Sequence, residues 1–117
     1  MPKYLISFND GDMQFDREEL PQVAEDAHAV MRDAIAQGVW VFGGGFEGFQ
    51  TKVVNSRGDV SDGPLAPSDV VLGGFTVIDV ADDDAAHEWA ARIAKACRCD
   101  QEVRRFMDDP EQEELMS

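Results

Sequence analysis

Long apolar runs are missing from this 117-residue sequence, and nothing in it approaches the roughly 20 residues a bilayer-crossing helix needs. The opening MPKYLISF lacks the basic segment, long apolar stretch and small-residue cleavage site of a secretory signal, which sets the expectation of a cytoplasmic protein. Basic residues are scarce. Ten Lys and Arg stand against 24 Asp and Glu, a formal charge of −14. Nucleic-acid binding rests on neutralising phosphates with Lys and Arg, so no nucleic-acid partner is expected, and an acidic membrane surface is disfavoured for the same reason. The charge itself serves solubility. Cysteine is scarcer still: Cys97 and Cys99 form a C-x-C pair, too close for an ordinary disulfide between neighbouring elements. His28 and His87 stand far from the cysteines with no metal-type spacing, so no metal is expected. Cofactor signatures are also missing. GGGFEG follows a strand but leads to another strand, with no helix N-terminus to receive a phosphate, and the serines stand in no Ser/His/Asp order.

What remains is the make-up of one packed domain. Apolar residues are 44% of the chain, and a domain of this length buries roughly two-thirds of its unfolded surface, enough to fold without staples. KYLISF alternates, with Tyr4, Ile6 and Phe8 facing one way, which predicts a first strand. Asp16 and Glu19 have the spacing of a helix start, and Pro21 suits an opening turn, so the first helix is expected over residues 21–37. Its apolar stripe is Val23, Ala27, Val30, Met31 and Ala34, and Gly38 suits the left-handed stop.

VWVFG predicts a second strand running into a glycine cluster, where a bulge, a sharp bend or close approach by something else is expected. QTKVVNS and Val60–Ser61 form a short hairpin around the tip Arg57-Gly58-Asp59. LGGFTVIDV, Leu72 to Val80, is a strong strand with apolar residues on both faces, as expected of one covered on both sides. Acidic Asp82 to Asp84 open a second helix with the stripe Ala86, Trp89, Ala90, Ile93 and Cys97. A last strand falls near residues 102–106. Residues 108–117 are an acidic tail, either mobile or a partner-docking arm.

The order βαββ(β)αβ is that of an α+β, ferredoxin-like protomer. Two helices cover one face of its sheet and leave apolar side chains on the other: Tyr4 or Leu5, Trp40 or Val41, Phe75 or Thr76, according to register. A second copy covers such a face most economically, so a homodimer is expected.

The run DGPL…VLGGFTVIDV…DAAHEWAARI resembles the DGPF branch of the YCII-related family. There an Asp-Gly-Pro-Phe turn precedes a strand of this pattern and a helix containing WA. The resemblance covers residues 1–107 and implies a dimeric α+β barrel, in which two sheets close face to face. It implies less about activity. Some members of the wider family are proposed to use a His–Asp pair in a cleft, a few are linked to breakdown of chlorinated aromatic compounds, and a regulatory role is a further suggestion. Leu65 stands where the motif has Phe, and His28 falls one residue out of register with the proposed histidine. One residue turns a helical side chain by about 100°, so no catalytic dyad is carried over.

Two functions are expected from these residues, beside a third in which the protein is an interaction module using its acidic tail. The first is a small-molecule-binding protein, with Asp62, Glu47 and Phe46 against the ligand. The alternative is a cofactor-independent enzyme doing acid–base chemistry on an aromatic or other small organic substrate, with Asp62 or Glu47 as base and His28 assisting. Asp62 also has a purely architectural account, in which its carboxylate fixes the Asp-Gly-Pro turn. Glu47 has one as a solvated loop acid, and His28 as a solvated residue on the flank of its helix.

Overall fold

The computed structural model describes residues 1–11, 13, 15–46, 51–65 and 71–117. Its elements are β1 (Lys3–Asn9), α1 (Leu20–Ala36), β2 (Trp40–Gly45), β3 (Lys52–Val54), β4 (Val60–Asp62), β5 (Leu72–Asp79), α2 (Asp83–Cys97), β6 (Glu102–Arg105) and α3 (Pro110–Met116). Four strands form an antiparallel sheet in the order β2-β5-β1-β6, the crossed arrangement of split βαβ folds. β3 and β4 pair separately as a two-stranded ribbon.

Strand register decides what is buried. Tyr4 faces Ile78 and Ile6 faces Thr76 across β1 and β5, so these side chains share the face beneath the helices. Tyr4, Ile6, Ile78 and Val80 pack there against Ala34 of α1 and against Ala86, Trp89, Ala90 and Ile93 of α2. The other face carries Leu5, Phe75 and Val77, half-buried, and the exposed Phe42, which lies opposite Val77. Within this chain β5 is therefore covered on one face, not on two.

Local chemistry explains the helix ends. Asp82 accepts from the Ala85 N–H at 2.9 Å, and Asp83 and Asp84 occupy the positive first turn of α2. Asp16 and Glu19 exchange the expected contacts, the Asp16 N–H donating to Glu19 Oε1 at 3.3 Å, but they bracket a single 3-10 turn. The α-helix proper begins at Leu20, with Pro21 in its first turn. Gly38, at φ +75, supplies the left-handed stop.

The register irregularity of β2 lies between Trp40 and Phe42, ahead of the glycines, and Gly43 to Gly45 continue the strand. The acidic tail contains a short helix, α3.

Candidate functional site

The stripe of α1 is buried at its ends, at Val23 and Ala34, but only partly at Ala27, Val30 and Met31. A cleft of about 270 Å³ opens beside those middle residues, between α1, α2 and the sheet. Ala27, His28, Val30 and Met31 line it from α1, and Ile93, Ala96 and Cys97 from α2. Phe8, Trp40, the three glycines of β2, Phe75, Thr76 and Gln101 complete it.

Glycine shapes the sheet side of this cleft. A Cβ on Gly43 would stand 2.9 Å from the Trp40 ring and 3.0 Å from Thr76 Oγ1, so the indole lies against bare backbone. Phe8 does the same on Gly73 and Gly74, where an added Cβ would come within 2.8 and 2.9 Å of its ring. Two aromatic rings thus sit directly against glycine backbone.

The polar groups along this mostly apolar wall are few. His28 is exposed at the edge, and Thr76 is buried on the inner face of β5. Gln101 Nε2 donates to Cys99 Sγ at 3.3 Å, and Gln101 Oε1 is buried with no hydrogen-bond partner among the described residues. Cys97 is no ready nucleophile. Burial pushes its thiol up, against a smaller lowering by Arg98, and a protonated thiol attacks poorly. Cys97 and Cys99 are not joined in a disulfide.

Of the residues singled out from sequence, His28 lines the cleft. Phe46 does not line it; its ring packs edge-on against Phe75, a lining residue, at 5.8 Å between centroids. Asp62 lies at the end of β4, exposed, paired with Lys52 directly across the ribbon, and outside the cleft. His28 and Asp62 are not brought together in this cleft. Glu47 lies outside the described residues. Thr76, Gln101 and Cys97 were not anticipated as neighbours, although a threonine among the inward positions of an otherwise apolar strand is a readable signal.

A larger trough of about 530 Å³ runs between α1 and α2, lined by Asp26, Arg92, Lys95 and Arg98 among others. Its guanidinium groups are already engaged. Arg98 reaches Asp26 at 2.8 Å, and Arg92 reaches Asp33 at 2.7 Å while stacking over Trp89. This is a helix–helix seam bridged by ion pairs. Among the described residues no three His, Cys, Asp or Glu side chains gather as a metal site, and no helix is long and apolar enough to cross a membrane.

No curated protein matches the chain. A solved structure of 5-chloro-2-hydroxyhydroquinone dehydrochlorinase from Burkholderia phenoliruptrix, in complex with 2,5-dihydroxybenzoquinone, is similar in fold. The TM-score is 0.53 at 14% identity, over 95% of this chain and 98% of that one. A family model, the YCII-related domain, matches residues 3–107, nearly the whole sheet-and-helix body that holds the cleft. The chain belongs to the YCII-related family.

Proposed function

We propose that this protein binds a small one-ring organic molecule in the cleft beside His28, as a cytoplasmic homodimer whose open sheet faces close on each other as an α+β barrel. The cleft carries this reading. Small-molecule sites are apolar concavities with a few converging polar groups, and about 270 Å³ lies just below their usual range of about 300–1,000 Å³. An apolar cavity of roughly 150 Å³ already accommodates benzene, so this one suits a single ring with substituents. Thr76 and Gln101 would meet hydroxyl or carbonyl substituents, and Trp40 and Phe8 the ring itself. The fold neighbour's complex with a dihydroxylated quinone supports the same ligand class.

A second reading keeps the site and adds turnover. His28 stands at the cleft edge, where a neutral imidazole would accept a proton from a ring hydroxyl. In that reading Asp62, on the ribbon, acts only by reaching a cleft other than the one its own chain forms. No cofactor is needed for either reading, and a regulatory use of the bound molecule fits the first.

A thermal-shift series with hydroquinone, catechol and 2,5-dihydroxybenzoquinone tests the site. Binding should raise the melting temperature of the native protein, and Met31→Trp, which fills the cleft, should abolish the rise. Shifts that survive Met31→Trp unchanged would place the ligand elsewhere. Consumption of a ring compound by the native protein, lost in His28→Gln with binding retained, would decide for the enzyme.

A further inference from the structure

The C-terminal helix poses a problem that its own chain does not solve. α3 has seven residues, and none of them is buried. Isolated helices shorter than about 12–15 residues are marginal in water, so one this short persists only when something packs against it. It stands over the open sheet face without closing on it. A slot of about 230 Å³ separates the two, with Val41, Val77 and Lys3 on the sheet side and Phe106, Met107 and Met116 on the side of the arm. Met107 is 92% exposed and Met116 73%, on a face that a single chain leaves wet.

We infer that α3 is a clasp, and that the slot beneath it receives a second copy of this chain. The inference rests on the homodimer proposed above and adds where the grip lies. The slot is continuous with the open face, since Val77 belongs to both and Phe42, opposite it, is 64% exposed. A partner that covers that face therefore reaches the mouth of the slot. A two-fold pair meets this requirement with one surface used twice, each arm closing on the other molecule. The shape of the lone chain agrees. Its radius of gyration is 16.1 Å, against about 13 Å for a compact domain of this length. The thinnest extent is 19 Å beside 45 and 42 Å, the outline of a half-particle.

The test is the double variant Met107→Glu, Met116→Glu. Both side chains are exposed in a single chain, so the fold itself should tolerate them, as unchanged far-UV circular dichroism would verify. Sedimentation equilibrium should show a native dimer, with a dissociation constant roughly a hundredfold higher in the variant, because two buried anchors per arm are lost. Hydrogen exchange adds an independent readout: amides 110–116 should gain protection with rising protein concentration, in step with dimer formation. A variant that dimerises as tightly as the native chain, with exchange of α3 independent of concentration, would overturn the clasp and leave the dimer standing. A native chain that remains monomeric at micromolar concentration would overturn both.

Discussion

The Tyr4 hydroxyl donates to Asp83 Oδ1 at 2.5 Å, tying the first strand to the opening turn of α2, 79 residues away. Tyr4 is 2% exposed, and Arg105 of β6 reaches the same carboxylate oxygen at 3.8 Å, so three elements meet on one aspartate.

Tyr4→Phe removes that bond while keeping the ring, and should lower the urea midpoint with little change in the m-value. The pH dependence identifies the cause. The hydrogen bond to Asp83, then burial, then the charge of Asp83 hold the tyrosine above its ordinary value near 10. A raised folded-state value means the folded protein keeps its proton after the unfolded chain has lost it. This contribution is therefore fully present below about pH 10 and fades as the pH rises through the folded value. Native protein should lose stability over that alkaline window, and Tyr4→Phe should lose less.

Ile78 is wholly buried in the central strand, between Tyr4 on β1 and Trp40 on β2. Truncation to alanine removes three carbons from a site walled by two strands and α2, which can collapse little. Ile78→Ala should cost about 2–5 kcal/mol in urea unfolding, a large share of the stability usual for a domain. A loss below about 1 kcal/mol would mean that the sheet and helices are not packed as described.

Much of this frame is legible in the sequence, because it follows from local rules. The alternation in KYLISF places Tyr4 and Ile6 inward, Asp82 opens α2, and the stripe through Trp89 and Ile93 reaches the core. What escaped depends on distant parts of the chain. The valines of β3 and β4 say that they pair, not that they stand apart from the main sheet. Pro110–Met116 is too short for a periodic stripe to show. The cleft gathers residues from α1, α2, three strands and the link to β6, and no spacing records that Thr76, Gln101 and His28 converge. His28 was legible only as a residue on the flank of its stripe, which is where a cleft-edge side chain sits.

The glycine cluster gives a paired prediction. A Cβ on Gly74 would stand 2.6 Å from the Gly44 carbonyl oxygen and 2.9 Å from Phe8, so Gly74→Ala forces β2 away from β5. It should cost about 1–3 kcal/mol. Gly44, one strand over, has open space where its Cβ would be. Gly44→Ala should raise the stability of the isolated chain by about 0.5 kcal/mol, because alanine gives up less freedom on entering a strand. Equal effects at the two sites would refute the close approach of these strands.

The seam between α1 and α2 should fail in acid. Hydrogen bonds from Arg98 and then Gln22 lower Asp26, and those from Gln37 and then Arg92 lower Asp33, each below the ordinary value of 3.8. For a lowered carboxyl the sign is opposite to that of Tyr4. Above 3.8 both states are ionised and the contribution is complete; below it the unfolded chain takes up protons first, and stability falls until the folded carboxyls are protonated too. Urea unfolding between pH 5 and pH 2 should therefore show a declining midpoint. The double variant Asp26→Asn, Asp33→Asn should start lower at pH 7 and decline less steeply. Both aspartates are partly solvated, so added salt should narrow the gap between native and variant protein at pH 7. A variant with the same acid slope as the native chain would show that other carboxylates carry the transition.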